Sequence, residues 1–258
     1  MRALVLAAGI GERLRPLTER TPKPLLEIGG RPLIHYPLAM LKRAGITDIA
    51  INVHHLADAL TRALGDGSRF GISITWAPEP KLLGTGGPLN GLEGFLASDT
   101  FVIANSDTIL DLHLAEVISF HRERGALATI VLAHPENLDY YSHLEIDPDA
   151  RIRRMRLMMQ RNPLKYDDFP RQLDDALAAK LASYMYCGVI VAEPAALDLM
   201  PATTPWSLFT GLFGPMVADG LPVFGWLHRG FMRTLDDLDG YTRLRAEFGA
   251  QPPPVALL

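Results

Sequence analysis

The sequence predicts an α/β fold, a Rossmann-like three-layer sandwich with a mostly parallel sheet, and three observations support this class. In the first half of the chain, short apolar runs alternate with amphipathic stretches at helical spacing. Strands separated by one helix each imply right-handed crossovers and parallel pairing. Of the 258 residues, 48% are hydrophobic and 21% are charged, which is the composition of a globular protein that buries a sizeable core.

Each predicted element follows from its own apolar pattern. Continuous apolar runs predict buried strands, and apolar residues that recur every three or four positions predict amphipathic helices. Gly45 marks the end of the first helix. The predicted strands are Ala3–Ala7, Ile49–Val53, Ile72–Trp76, Phe101–Ala104, Ala128–Ala133, Tyr184–Ala192 and Pro222–Leu227, and the predicted helices are Pro32–Ala44, Leu56–Leu64, Gly86–Leu96, Leu112–Arg124 and Tyr241–Phe248.

Two segments break this alternation. Residues 134–183 are rich in arginine and in paired aspartates, and we interpret them as an inserted lid region that partly covers a site. The C-terminal Gln251–Leu258 contains three consecutive prolines and is expected to be frayed. We predict a single domain over residues 1–258.

The balance of charge excludes some classes of partner. With 25 basic and 29 acidic residues the net charge is −4, so we expect neither nucleic acid nor an anionic membrane as the main partner. Residues 1–31 nevertheless carry more basic than acidic side chains. A small anionic ligand would suit this end of the chain.

Cysteine content and hydropathy indicate a cytoplasmic protein. Cys187 is the only cysteine, which excludes an intrachain disulfide and is typical of a reducing compartment. The apolar N-terminal run is interrupted by glycines and charges before it reaches the length of a signal peptide core. No run approaches the roughly 18 apolar residues of a membrane span. We expect a monomer or a homodimer.

The segment directly after the first strand carries the sharpest functional signal. It reads LAAGIGERLRPLTERTPKPL from Leu6 to Leu25. Its small residues allow backbone N–H groups to approach phosphate oxygens or a base edge. An arginine can bind two phosphate oxygens at once, and Arg13 and Arg15 follow the glycines. Lys23 lies between two prolines that fix the flanking backbone, so its ammonium can be aimed as a point charge.

The alternative interpretation of this segment is a tight turn with solvated arginines. Glycine-rich loops alone are weak motifs, and neither G-x-x-x-x-G-K-[ST] nor a complete G-x-G-x-x-G is present.

From Leu6 to Pro24 the sequence resembles the leading signature of the sugar-1-phosphate nucleotidylyltransferases, L-A-[AG]-G-x-G-[TE]-R-[LM]-R-P-L-T followed by P-K-P. Weaker similarity continues through Asp66–Ile74, Leu83–Leu89 and Asn105–Asp107. The Gly-Glu-Arg variant is similar to the branches of the family that use UTP with N-acetylmuramate-1-phosphate or GTP with mannose or heptose phosphates.

This resemblance implies the nucleotide-diphospho-sugar transferase type of α/β fold and a role in nucleotide-sugar biosynthesis for the cell envelope. It divides the domain into a nucleotide-binding half at residues 1–133 and a sugar-phosphate-binding half with the lid at residues 134–250. The implied nucleotide contacts are Leu6, Ala7, Ala8, Gly9, Gly11, Glu12, Arg13, Lys23, Gly86, Gly87 and Asn105.

Asp107 ends an apolar strand in the triplet Asn105-Ser106-Asp107. A carboxylate at the carboxyl end of a strand can hold Mg²⁺ against triphosphate oxygens, although aspartates of this kind also cap turns and helices. The triplet is similar to the Asn-Gly-Asp of the family, which implies Asp107 as the Mg²⁺ ligand.

Further contacts are implied outside the first loop. Gly86 and Gly87 precede a predicted helix, whose free N–H groups can meet a base or a sugar hydroxyl; a helix start capped by Thr85 is the alternative. For the sugar phosphate, Gly188 resembles the sugar-contacting glycine of the family. Arg161 stands where relatives carry the lysine of E-K-P.

The implied reaction is in-line attack of a sugar-1-phosphate oxygen on the α-phosphate of a nucleoside triphosphate, with release of pyrophosphate. The attacking group is already anionic, so catalysis consists of positioning and charge neutralisation. Arg13 would hold the β- and γ-phosphates, Lys23 the α-phosphate and the incoming phosphate, and Arg15 the charge that develops during transfer. Asp107 would hold the metal.

The chain departs from the family near its C-terminus. Relatives carry a second metal aspartate in W-x-D-x-G-T, and an alignment on Thr234 puts Phe231 at that position. Asp236 or Asp237 could supply the missing carboxylate if the loop is shifted. A homologue that binds nucleotide or sugar phosphate without turnover is therefore one alternative, and a cytidylyltransferase acting on a non-sugar phosphate is another. Ala8 favours UTP over GTP, because relatives with Leu-Ala-Ala-Gly tend toward pyrimidine triphosphates.

Overall fold

The structure, a computed structural model, describes residues 1–134, 141–159, 166–249, 251–255 and 258. In chain order the strands are β1 Arg2–Leu6, β2 Glu27–Ile28, β3 Arg31–Pro32, β4 Asp48–Val53, β5 Ser73–Pro78, β6 Phe101–Asn105, β7 Thr108–Leu110, β8 Ala128–Ala133, β9 His143–Ile146, β10 Ile152–Met158, β11 Tyr166–Phe169, β12 Ala182–Ala192, β13 Val223–Leu227 and β14 Met232–Thr234. The helices are α1 His35–Arg43, α2 Ala57–Leu64, α3 Pro88–Leu96, α4 Leu114–Glu123, α5 Asp175–Ala178, α6 Gly214–Ala218 and α7 Leu238–Phe248.

The chain forms two compact units. The first comprises Met1–Leu82, Phe101–Leu114 and Gly230–Leu258, and the second comprises Leu83–Thr100 and Ala115–Arg229. No helix among the described residues is long and apolar enough to cross a membrane.

The first unit is built on four parallel strands in the order β6-β1-β4-β5. The central strand β1 is apolar, and its Ala3, Leu4 and Val5 are fully buried, as expected for a parallel strand covered on both faces. The predicted α/β fold with a mostly parallel sheet is confirmed, and parallel pairing brings the carboxyl ends of β1 and β6 side by side at Leu6 and Asn105.

A second, smaller apolar cluster lies elsewhere in the first unit. It contains Leu14 of the loop after β1, and its other buried members are Leu26, Ile28, Leu33, Tyr36, Ile109, Leu235 and Leu244. The Tyr36 hydroxyl donates a hydrogen bond to the Ile28 carbonyl at 2.6 Å, and burial raises the pKa of Tyr36 to about 12. This cluster anchors the loop after β1 to the C-terminal part of the chain.

The predicted start of the first helix at Pro32 is wrong, because a short hairpin precedes it. Ile28 pairs with Arg31 across Gly29 and Gly30, and both glycines have positive φ, 57° and 71°. Two central residues with positive φ make the two-residue turn that matches the twist of paired strands. The helix therefore begins only at His35.

The C-terminal tail is not frayed along its described part, 251–255. A Cβ added at Gly29 would lie 2.6 Å from the Gln251 carbonyl oxygen and 2.7 Å from the Pro252 Cα. Pro253 is buried, and Val255 packs against the apolar cluster. Pro252 and Pro253 therefore pack against the hairpin turn.

The second unit adds antiparallel strands in the order β11-β10-β9-β12-β8, with β13 parallel to β8. Strands β9, β10 and β11 occupy much of the segment interpreted as an inserted lid, and a covering role for this segment stays a prediction. Its arginines face acids: Arg153 pairs with Asp147 at 2.6 Å and Arg154 with Glu145 at 2.5 Å. These arginines are therefore neutralised by acidic side chains of the same segment.

Candidate active site

Two side chains, Asn52 and Ser106, hold the start of the loop after β1 by hydrogen bonds. The Ala7 N–H donates to Asn52 Oδ1 at 2.8 Å. On the other side, the Ser106 hydroxyl and backbone N–H both donate to the Leu6 carbonyl, at 2.7 and 3.2 Å. Asn52 lies on β4 opposite Leu6, at the last pair between β1 and β4. These contacts hold the first residues of the loop at the carboxyl edge of the parallel strands, where ligands of such sheets bind.

The two glycines of the loop serve different purposes. Gly11 has φ +70°, and an added Cβ would lie 2.8 Å from Thr18 Cγ2. The Thr18 hydroxyl donates to the Gly11 carbonyl at 2.8 Å, so the protein itself requires glycine at this position. An added Cβ at Gly9, in contrast, would meet no described atom within 4 Å. The space beside Gly9 is open to a ligand.

Lys23 and Asp107 are brought together as an ion pair. Lys23 opens a single helical turn after Pro22, and its side chain is 14% exposed. Asp107 follows β6 directly, and its side chain is 24% exposed. A cation beside an anion at the end of β6 can hold a phosphate and a metal at neighbouring positions.

The two arginines of the loop are exposed. Arg13 forms an ion pair with Asp236 at 3.3 Å, with both side chains 41% exposed. Arg15 is exposed and has no side-chain partner among the described residues. Exposed ion pairs contribute about 0–1 kcal/mol, so an anionic ligand can take Arg13 from Asp236 at little cost.

The residue beside Asp107 on the C-terminal strand is not Phe231. Strand β14 pairs antiparallel with β7, which puts Thr234 opposite Thr108, and the Leu235 N–H donates to the Asp107 carbonyl at 3.0 Å. Phe231 lies further along the strand, where its carbonyl accepts the Asp111 N–H at 3.2 Å, and its alignment with the second metal aspartate of relatives stays a prediction. Thr234 and the residues after it lie next to Asp107.

Phe231 has a packing role instead. Its ring packs against the buried apolar cluster and lies edge-on to Phe248, 5.8 Å between centroids. The Arg233 guanidinium covers the ring at 4.9 Å and pairs with Glu247. Asp237 accepts a hydrogen bond from the Gly240 N–H and caps α7.

Asn105 ends β6 opposite Leu6. Its side chain is half-buried and has no hydrogen-bond partner among the described residues. An amide that offers both donors and an acceptor at the edge of the sheet is available to a nucleotide.

Gly86 and Gly87 belong to the second unit, where they have packing roles. An added Cβ at Gly86 would lie 2.1 Å from the Trp206 ring, and one at Gly87 would lie 2.2 Å from the Leu83 carbonyl oxygen. The Gly86 N–H donates to the Trp206 carbonyl at 3.0 Å. Thr85 does not cap α3, because its hydroxyl accepts the Leu208 N–H at 3.0 Å.

Trp206 packs against the turn that contains Gly86 and Gly87. Its ring is 8% exposed, and its indole N–H donates to Asn90 Oδ1 at 2.8 Å. Its backbone N–H donates to the Leu83 carbonyl at 3.0 Å. Trp206 is therefore a core residue that packs against the Gly-Thr-Gly-Gly turn. The glycines of this turn are the sequence feature that indicates a close approach by a large side chain.

We expect Gly86→Ala to lower the free energy of unfolding by about 1–3 kcal/mol, because the new methyl group overpacks the Trp206 ring. Urea unfolding of the purified protein measures this change. Gly91→Ala is the matched control, since Gly91 lies in α3 and an added Cβ there meets no described atom within 4 Å. The control should be neutral or stabilising by up to about 1 kcal/mol, and equal losses in both variants would contradict the packing role.

Gly188 lies at an irregularity of strand β12. The pairing of β12 with β8 shifts register between Tyr186 and Ile190, and Gly188 has φ +85°. Bulges re-aim side chains and are frequent beside active sites. Its neighbour Cys187 is 1% exposed, and burial raises the pKa of its thiol, so this cysteine is unsuited to act as a nucleophile. Arg161 lies outside the described residues.

His54 and His55, a pair without metal-ligand spacing, bond to backbone. His54 Nδ1 lies 2.7 Å from the Glu79 carbonyl oxygen, and His55 Nε2 lies 2.7 Å from that of Thr18. Within the described ranges no group of three or more His, Cys, Asp or Glu side chains could hold a metal ion.

Comparison with solved structures supports the fold. HddC from Yersinia pseudotuberculosis complexed with GMP-PN superposes with a TM-score of 0.70 at 17% identity, over 96% of this chain and 99% of the other.

Two curated relatives are more similar in sequence. The UTP–glucose-1-phosphate uridylyltransferase of Synechocystis is 32% identical over 87% of this chain and 57% of its own length. The N-acetylmuramate alpha-1-phosphate uridylyltransferase of Neisseria meningitidis is 46% identical over 59% of this chain and 68% of its own length. The chain thus spans little more than half of the first of these relatives. A family model described as nucleotidyl transferase matches residues 2–156, more than half of the sequence, and the chain belongs to the nucleotidyl transferase family.

Proposed function

We propose that this protein transfers a nucleotidyl group from a nucleoside triphosphate to a sugar-1-phosphate and releases pyrophosphate. The observation that carries this proposal is the Lys23–Asp107 ion pair, which lies at the carboxyl edge of the parallel strands. The loop after β1 leaves the same edge, with open space at Gly9. Relatives named for this class of reaction support the choice of substrates.

In this reaction a phosphate oxygen of the sugar-1-phosphate attacks the α-phosphorus, and the bond to the β-phosphate oxygen breaks. Lys23 would neutralise the α-phosphate and the incoming phosphate. Arg13 would leave Asp236 to bind the β- and γ-phosphates, and Arg15 would offset the charge that develops during transfer. Preorganised positive charge of this kind supplies much of the rate enhancement in phosphoryl and nucleotidyl transfer.

Mg²⁺ fits the donor set of the first unit, and Asp107 is the residue that would hold it. Mg²⁺ is usually bound through one or two carboxylates together with substrate phosphates. When bound, the ion would neutralise triphosphate charge and help to orient the α-phosphate. Asp236 is the second carboxylate of this region, one residue beyond the Leu235 that bonds to Asp107.

We further propose that the chain acts as a single nucleotidyltransferase domain in the cytoplasm, with nucleotide contacts in residues 1–133 and sugar-phosphate contacts, including Gly188 and Arg161, in residues 134–250. UTP is the proposed nucleotide. The uridylyltransferase relatives support it, and the GMP-PN complex of HddC keeps GTP as the competitor. Nucleotide-sugar synthesis for the cell envelope is the proposed role.

One observation favours a second candidate function. Phe231, which the resemblance puts at the position of the second metal aspartate, packs its ring against the buried apolar cluster, so this position supplies no carboxylate to a metal. A homologue that binds nucleotide and sugar phosphate without turnover would have this feature.

A pyrophosphate-release assay tests the two candidates. UTP, GTP, CTP, ATP and dTTP would each be combined with the 1-phosphates of glucose, N-acetylmuramate, mannose and heptose, with and without Mg²⁺. We expect release with UTP and at least one sugar-1-phosphate, only when Mg²⁺ is present. Measurable nucleotide binding without release in any combination would instead support the non-catalytic homologue.

A further inference from the structure

A buried amide–carboxylate pair lies under the loop after β1 and has no part in the reaction described above. Asn52 is 3% exposed and Glu79 is 5% exposed. Asn52 Nδ2 donates to Glu79 Oε1 at 2.7 Å, while Asn52 Oδ1 accepts the Ala7 N–H at 2.8 Å. The three residues form one hydrogen-bonded chain from the end of β5 to the first residue of the loop.

The polarity of this chain is set by chemistry. Of the two polar atoms of the Asn52 side chain, only Oδ1 can accept a hydrogen bond from the Ala7 N–H, so Nδ2 must face Glu79. An ionised carboxylate accepts hydrogen bonds and cannot donate them, so it holds the Asn52 amide in the orientation that points Oδ1 at Ala7. Without the acid, the amide could rotate by 180° and present Nδ2 to the Ala7 N–H.

Glu79 is itself fixed from its backbone. Its N–H donates to the Val53 carbonyl at 2.8 Å, which extends the pairing of β4 with β5 by one residue. Its carbonyl accepts a hydrogen bond from His54 Nδ1 at 2.7 Å. The carboxylate is therefore presented from a rigid strand end, as the support of a binding loop must be.

Burying a carboxylate is costly unless it is hydrogen-bonded. The buried Glu79 carboxylate fixes, through Asn52, the direction of the Ala7 N–H. Ala7 is the residue where the chain turns from β1 into the loop. The loop from Ala8 to Gly11 leads directly to Arg13, so its starting direction sets the path of the backbone toward that residue.

We propose that Asn52, oriented by Glu79, is a positioning residue that sets the geometry of the loop after β1 for nucleotidyl transfer. This inference rests on the proposed function. It also means that the Ala7 N–H serves the protein rather than the ligand, although the resemblance to the family suggested Ala7 as a nucleotide contact.

A swap of donor and acceptor tests the pair. Asn52→Asp alone places two carboxylates face to face, whereas Asn52→Asp combined with Glu79→Gln restores a donor opposite an acceptor and leaves a carboxylate oxygen for Ala7. We expect kcat to fall about 10- to 100-fold in Asn52→Asp, since misplacement of a binding loop by about 1 Å has effects of this size. The double variant should recover to within about threefold of wild type.

Glu193→Gln is the matched control. Glu193 accepts hydrogen bonds from Thr100 at 2.7 Å and contacts His121 at 3.0 Å in the second unit. This substitution should lower the free energy of unfolding while kcat and KM stay at the wild-type values. A double variant no more active than Asn52→Asp, or an Asn52→Asp variant with wild-type kcat, would overturn the inference.

Hydrogen exchange separates this inference from the proposed function. Exchange of the Ala7 amide should accelerate at least about tenfold in Asn52→Asp and return in the double variant, whatever reaction the protein catalyses. If wild type releases no pyrophosphate but the exchange pattern holds, the proposed function fails and the hydrogen-bonded chain stands. If wild type is active but Ala7 exchange does not respond, the positioning role fails alone.

Discussion

Replacement of Asp107 by asparagine is expected to reduce Mg²⁺-dependent pyrophosphate release by about 1,000-fold or more, the scale seen when a preorganised electrostatic contact to the reacting groups is removed. Asparagine keeps the shape and an oxygen that accepts the Lys23 hydrogen bond, and it removes the charge that would hold the metal. The loss in the free energy of unfolding should not exceed about 1–2 kcal/mol, the difference between charged and neutral hydrogen bonds. Steady-state rates across a Mg²⁺ titration measure the effect.

Asp48→Asn is the control for this substitution. Asp48 is exposed at the amino end of β4, the opposite end of the strand from the loop region, so the variant should retain wild-type rates and the wild-type Mg²⁺ dependence. Unchanged activity in Asp107→Asn would remove the metal role of Asp107 from the account.

Replacement of Arg13 by alanine is expected to lower kcat/KM for the triphosphate by about 100- to 1,000-fold, because one charge-assisted contact to the β- and γ-phosphates is lost. The fold should be almost unaffected, since the Arg13–Asp236 pair is exposed at both ends and such pairs contribute little to stability. Initial rates at subsaturating triphosphate, together with a urea unfolding curve, check both statements.

Arg20→Ala is the matched control for Arg13. Arg20 is an exposed arginine of the same segment, and its removal changes the net charge by the same amount. Similar losses in the two variants would mean that the segment acts through its overall charge, and that Arg13 makes no specific contact.

The loop after β1 and the parallel direction of the strands could be predicted because both depend on local patterns. Apolar runs separated by single helices specify parallel neighbours, and the glycines and prolines from Gly9 to Pro24 restrict the backbone within a few residues. The position of Asp107 at the edge of the sheet where the loop after β1 begins followed from the rule that ligands bind at the carboxyl ends of parallel strands, whereas its pairing with Lys23 was not predicted.

Features that depend on distant residues were missed. Phe231 was assigned the position of the second metal aspartate by resemblance, but its packing role could not be predicted, because the apolar cluster that it contacts is formed by residues far apart in the sequence. Gly86 and Gly87 were interpreted as ligand contacts, and nothing nearby in the sequence shows that the Trp206 ring packs on Gly86. The antiparallel strands of residues 143–169 were missed because charged pairs such as Arg154–Glu145 mask the alternation expected of a strand.

The central claim is that a sugar-phosphate oxygen attacks the α-phosphorus at the edge of the sheet that carries Lys23 and Asp107. Its most direct test follows the oxygens of a sugar-1-phosphate labelled with oxygen-18 in the phosphate group, incubated with UTP and Mg²⁺ and analysed by mass spectrometry. We predict that all of the label appears in the nucleotide-sugar and none in pyrophosphate. Label in pyrophosphate, or unlabelled UMP as the only nucleotide product, would contradict it.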